Sequence, residues 1–320
     1  MSNKQGAARR KCSHALRATF AAGRKRPAKS SGAARRKKLQ FRSMGNQLAI
    51  LGGGNMGRAL IGGLLRRGTR PEHLTVGETS QTARDSLAAD FGVQGTPDNV
   101  AAIESASVVV VAVKPQVAGA VLVPLQPSLQ RTRPLVISIV AGIRLAALEG
   151  WCGGGVPVLR AMPNRPALVG AGATALFAPA SATSTHRQVA ERVMQAVGQV
   201  VWVPREDDLD VVTALSGSGP AYFFLLAELM MQSAIDLGLE PSTARQLAIA
   251  TLHGAGQLAQ LGDGDLARMR AEVTSKGGTT EAALNQFAAA DLRATVARAL
   301  EAAARRGREM ADQFGASGKT

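Results

Sequence analysis

The sequence predicts an α/β fold, a parallel-sheet half followed by an all-helical half, and three observations carry that prediction. Residues 47–51 (QLAIL) form a short apolar run that leads through Gly52, Gly54 and Gly57 (GGGNMG) into a helical pattern stopped by Gly68. SVVVVAV at 107–113 and VISIV at 136–140 are continuous apolar runs, the pattern of strands buried on both faces. After VWVP at 200–203 such runs stop, and helical patterns continue to the C-terminus.

In the opening unit, Leu60, Ile61, Leu64 and Leu65 share one helix face. Strand before and helix after give the glycines specific work: the first makes the turn, the second lets a pyrophosphate approach the backbone, and the third lets helix pack on strand. This reads as a Rossmann-type dinucleotide-binding start. LTV at 74–76 is a second strand, and Glu78 ends it, 21 residues after Gly57. An acid there can bond the ribose hydroxyls of NADH and repel the extra phosphate of NADPH. Thr79 and Ser80 follow, however, and hydroxyls can hold a phosphate, so cofactor choice stays open; Glu78 also fits a solvated strand end. Lys114 and Pro115 close the 107–113 strand, and Ile139–Gly142 close the next, both at the carboxyl edge where open parallel sheets bind ligands.

The helical half begins with LSGSGPAYFFLLAELMMQSAIDLGL. Pro241 with Ser242 opens a second helix, Thr280–Phe287 begins another, and 292–310 is an Ala-rich amphipathic pattern. Just before the third lies VTSKGGTT (273–280). The hydroxyls of Ser275, Thr279 and Thr280, with backbone N–H groups freed by Gly277 and Gly278, can converge on a carboxylate. The same residues also fit an ordinary glycine-rich turn in which Thr280 caps the next helix.

The net charge of +15 over 320 residues suggests an anionic partner until it is located. Residues 1–43 hold 14 of the 38 Lys+Arg and none of the 23 Asp+Glu, which leaves 24 basic against 23 acidic residues in the body. That segment reads as a disordered basic extension. A nucleic-acid arm, an organelle presequence and a leader upstream of a start at Met44 compete for it, and the last is favoured. The expected organisation is 1–45 extension, 46–206 dinucleotide-binding domain and 207–320 helical domain. Cys12 and Cys152 provide no disulfide framework and point to a reducing, cytoplasmic setting. The run 211–227 is interrupted by SGSGP and reads as too polar to span a membrane. His14, His73, His186 and His253 lack metal spacing, so no metal is expected.

Five stretches, LGGGNMG (51–57), AVKPQ (112–116), RAMPNRPALVGAG (160–172), LSGSGPAY (215–222) and VTSKGGTT (273–280), stand in the order found in pyrroline-5-carboxylate reductases. The chain resembles that family over about residues 46–310. The resemblance implies reduction of pyrroline-5-carboxylate to L-proline with NADP(H), or NAD(H), and a homodimer with interlocked helical domains that leaves open a decamer of dimers. It implies cofactor contacts at Leu51, Gly52, Gly53, Gly54, Asn55, Met56, Gly57, Glu78, Asn99, Ala112, Val113, Lys114, Pro115, Val140 and Ala141. Substrate is implied at Ser275, Gly277, Gly278, Thr279 and Thr280, with Thr280 as the hydroxyl beside the ring nitrogen. Thr79, where many members carry a basic or other polar residue, and Lys276, where many have Pro, depart from the pattern.

A protonated cyclic imine is already electrophilic, so positioning of hydride donor and acceptor dominates the expected catalysis. Lys114, Lys276 and Lys319 are the lysines after residue 43, and none falls early in the helical half. This counts against the β-hydroxyacid dehydrogenases, which share the architecture but use a helix-borne lysine. A nucleotide-sensing or nucleic-acid-binding protein working through the basic arm is the other alternative; otherwise nucleic acid is expected to bind only non-specifically through that extension, and no membrane is expected.

Overall fold

The computed structural model describes residues 47–262 and 264–316, which fall within one compact unit, Asn46–Thr320. The readings of the basic extension lie outside the described residues. The sheet half runs β1 (Gln47–Leu51), α1 (Asn55–Arg66), β2 (Leu74–Gly77), α2 (Gln81–Phe91), β3 (Gln94–Thr96), α3 (Asn99–Ile103), β4 (Ala106–Val111), α4 (Ala118–Leu122), α5 (Gln126–Thr132), β5 (Leu135–Ser138), α6 (Leu145–Trp151), β6 (Val158–Met162), β7 (Gly172–Phe177), α7 (Ser184–Gln195) and β8 (Gly198–Trp202).

The strands form one sheet in the order β3-β2-β1-β4-β5-β6-β7-β8. Neighbours are parallel except for β6 and β7. The first six strands have the doubly wound order, with its switch point between β1 and β4. Ile50, Leu51, Val110 and Val111 are fully buried because helices cover both faces. The apolar runs at 107–113 and 136–140 overshoot their strands. Leu51 pairs with Val111 and Val111 with Ser138, so the ladder ends there on all three strands and the following residues run past the edge.

Beyond the sheet, α8 (Asp208–Val212) continues through a π turn (Thr213–Gly217) into α9 (Gly219–Asp236), followed by α10 (Pro241–Leu261), α11 (Leu266–Glu272), α12 (Thr279–Ala289) and α13 (Leu292–Ala316). The sequence suggested that SGSGP interrupts this run. Instead the Ser218 N–H reaches back to the Thr213 carbonyl at 2.8 Å, and Pro220 stands in the first turn of α9, where an N–H is dispensable. The continuous run Asp208–Asp236 is therefore long and apolar enough, by length and composition, to cross a membrane. Its first turn is tied to the sheet half: buried Asp210 bonds Arg144 at 2.9 Å.

Candidate active site

The carboxyl edge of the sheet brings five strand ends together. Ala112 donates to the Leu51 carbonyl (2.8 Å), Gly52 to Gly77 (2.8 Å), Ile139 to Val111 (3.0 Å) and Glu78 to Thr96 (2.9 Å). Residues 51–57, 78, 112–115 and 140–141 thus line one edge. Asn99 joins them, since its Oδ1 lies 2.2 Å from where a Gly77 Cβ would stand.

Two of the glycines here are obligatory. Gly52 has φ +107°, and a Cβ on it would meet the Ala112 carbonyl oxygen at 2.7 Å; one on Gly57 would meet the Gly52 oxygen at 2.2 Å. A Cβ on Gly54 would meet nothing within 4 Å. Gly54 is the N-cap of α1 and supplies no capping side chain, so the first-turn N–H groups have no side-chain cap. That combination fits a pyrophosphate. Glu78 is turned inward over this turn, its carboxylate accepting the Gly53 N–H and the Ser80 N–H, both at 2.9 Å. The solvated reading of Glu78 does not hold.

Other residues at this end have no role assigned from the sequence, although Arg160 and Asn164 lie in the 160–172 stretch. Ser138 is buried, and its hydroxyl accepts the Val140 N–H at 3.3 Å, shaping the turn that presents Val140 and Ala141. Asn164, also buried, donates to the Ser216 carbonyl (3.1 Å) and accepts the Ala173 N–H (2.8 Å), tying the RAMPN stretch to the π turn. Arg160 lies in β6 and bonds Glu206 at 2.6 Å, while the same Glu206 oxygen accepts the Leu145 N–H at 2.6 Å. Burial pulls the Arg160 guanidinium below its ordinary value, against the upward push of Glu206. These bonds fasten the chain just before α8 to the sheet. From the far end of α13, Met310 and Phe314 approach Gly142 to within 3.4 and 3.7 Å of a built Cβ.

The 273–280 loop is organised differently from the sequence expectation. The Gly277 N–H is taken by the Glu281 carboxylate at 2.7 Å and the Gly278 N–H by the Ser275 carbonyl at 3.0 Å. Gly277, at φ +70°, turns the chain. Thr280 is not the helix cap. Gly278 is, without a side chain to offer, and Thr279 and Thr280 occupy the first two helical positions. The donors left open are the first-turn N–H groups of Thr279, Thr280 and Glu281, beside the two hydroxyls. Among the described residues, the hydrogen bonds of this loop stay within 270–282, and none joins it to the sheet edge.

A doubly wound sheet with an open glycine turn at its switch point, followed by a helical domain, defines a dinucleotide-dependent oxidoreductase. Comparison with known families agrees: an F420-dependent NADP oxidoreductase family matches residues 47–142, and the pyrroline-5-carboxylate reductase dimerisation family matches residues 206–310. Pyrroline-5-carboxylate reductase of Pseudomonas aeruginosa is 41% identical over 84% of this chain and 98% of its own length. That of Vibrio alginolyticus is 40% identical over the same shares. The solved Coxiella burnetii enzyme is 39% identical, with a TM-score of 0.80 over 83% of this chain and 98% of that one. A Plasmodium falciparum pyrroline carboxylate reductase with NADP bound is 27% identical, with a TM-score of 0.73 over 83% and 98%. The chain belongs to the pyrroline-5-carboxylate reductase family.

Proposed function

We propose that this protein reduces pyrroline-5-carboxylate to L-proline, taking hydride from NAD(P)H. The observation that carries the reading is the open glycine turn at the β1/β4 switch point, in a chain 41% identical to a reductase of that name. The bound nicotinamide supplies the hydride; everything else is binding and orientation by the chain. Residues 51–57 seat the pyrophosphate on the N-terminus of α1, and 112–115, 140–141 and Asn99 line the rest of the cofactor groove.

On the substrate side, the first-turn N–H groups of α12 and the hydroxyls of Ser275 and Thr279 hold the carboxylate, and Gly277 and Gly278 shape the turn that aims them. Thr280 orients the imine nitrogen and relays a proton from water, since a threonine hydroxyl is too weak an acid to deliver one unaided. We divide the body at 206/207, and the site is completed where α12 of one copy meets the dinucleotide edge of another. The exposed apolar side chains of α9 and α10 support that homodimer. A cytoplasmic location accords with this chemistry.

Steady-state oxidation of NADH and NADPH with L-pyrroline-5-carboxylate, with proline identified as product, tests the reading. Absence of substrate-dependent turnover by folded protein with either cofactor removes it, and turnover of 3-hydroxy acids instead moves the chain to another dehydrogenase class. Sedimentation of the active species reports whether dimers assemble further.

A further inference from the structure

Rossmann-type edges discriminate NADH from NADPH at the end of β2, and here that position is built around a fixed negative charge. The Glu78 N–H is anchored on the Thr96 carbonyl at 2.9 Å. One carboxylate oxygen accepts from Gly53 in the glycine turn and the other from Ser80 at the start of α2, both at 2.9 Å. Rotating the side chain away would break both bonds and leave two N–H groups unpaired.

The cation nearest this position, and the Ser80 N–H, are meanwhile engaged. Ser80 caps α2, its hydroxyl accepting the Ala83 N–H at 3.3 Å while its own N–H serves Glu78. Arg84 is the cation that sequence reasoning passed over. Its Nη1 donates to the carbonyls of Glu78 (2.6 Å) and Thr79 (2.8 Å), and its Nη2 to the Gln81 side chain. The guanidinium braces the backbone of 78–81 rather than opening a fork toward the groove.

We propose that Glu78, held by Gly53 and Ser80 and braced from behind by Arg84, makes this chain select NADH over NADPH. The carboxylate accepts the 2′- and 3′-hydroxyls of the adenosine ribose, whereas a 2′-phosphate would meet a fixed like charge while Arg84, among the described residues, stays bonded to the backbone of 78 and 79. The inference rests on the dinucleotide part of the proposed function and not on the identity of the imine.

The test is calorimetric titration of the full chain with NADH and NADPH, and with 5′-AMP and adenosine 2′,5′-bisphosphate, which carry no nicotinamide. We expect NADH to bind at least tenfold more tightly than NADPH, with 5′-AMP favoured over the bisphosphate in the same direction. E78Q keeps the shape and removes the charge, and should bring both ratios close to one. E78S also releases the N–H groups of Gly53 and Ser80, and should reverse them. Equal affinities in the unmodified chain, or ratios that E78Q leaves unchanged, overturn the proposal. Failure to bind any adenine probe overturns the dinucleotide reading with it, whereas selective binding without turnover indicts only the proposed substrate.

Discussion

The sheet half and the helical half of this chain close their apolar surfaces in opposite ways. In the sheet half, Ile50, Leu51, Leu60, Ile61, Leu64, Val110 and Ile137 have at most 1% of their surface exposed. In the helical half, Phe223 and Phe224 are about three-fifths exposed, and Leu229, Met230, Leu247 and Ile249 remain open. Among the described residues, α9 buries Gly219, α10 buries Ala244, and α11 and α12 bury none. One half completes its core within a single chain; the other presents the surface of a core that a second copy would complete.

If that difference reflects an obligate dimer, its disruption should have the largest effect of any change considered. Replacing Leu229 with Glu on the exposed face of α9 should convert the dimer to monomer in sedimentation and lower turnover by more than about a hundredfold, because the site would lose the partner's contribution. A fully active monomer at high dilution would place both halves of the site in one chain.

The two halves were also unequally legible in sequence. The unit from β1 through the glycine turn to α1 reads directly because every level agrees: an unbroken apolar strand, glycines at positions a Cβ cannot occupy, and a one-sided helix. β3 (QGT), β6 with its central Arg160, and β7 (GATALF) carry no comparable pattern. β3 is an edge, Arg160 is buried only because Glu206 meets it 46 positions later, and Gly and Ala in β7 are weak strand signals. In the helical half, VTSKGGTT suggests a ligand loop by its hydroxyls and glycines, but the glycine N–H groups on which that reading relied are satisfied internally, and the open ones follow. That depends on Glu281 folding back and on Gly278 taking the cap, neither of which is visible from spacing alone.

Next in size should be Arg160→Ala, which probes how the sheet half holds the chain entering α8. It leaves Glu206 with the Leu145 N–H but without its buried cation, and removing one member of such a pair costs about 3–5 kcal/mol. Urea unfolding measures this. Arg160→Met, which fills the space without charge, should cost clearly less; equal losses would mean that packing rather than charge dominates.

Thr280→Ala tests the helical half at its chemistry. Loss of one positioned hydroxyl should lower kcat about tenfold to a thousandfold while cofactor affinity and dimer mass stay the same. Near wild-type turnover would show that the site has been assigned to the wrong loop. Glu281→Gln, in the same loop, removes a charge beside the proposed carboxylate seat. KM should fall severalfold with kcat little changed, whereas a rise in KM would show that Glu281 serves the loop's shape more than it opposes the substrate.

The smallest effect expected lies back in the sheet half, at Cys152. This residue is buried among Leu145, Leu148, Trp151 and Val156 in the core cluster. Burial first, and the charge of Glu149 second, push its thiol from 9.0 up to about 12. A group whose folded value is raised leaves stability untouched below the unfolded value; the contribution is lost as pH climbs from about 9 towards 12, because the unfolded thiol ionises first. Between pH 6 and 8, Cys152→Ala should therefore change stability only by lost packing, with no pH slope of its own. Peptide-resolved alkylation at pH 8 should leave Cys152 unlabelled in native protein and label it fully in urea. Rapid native labelling would show that this part of the sheet half opens locally, and that the contrast between a closed sheet core and an open helical face is less sharp than the static structure draws it.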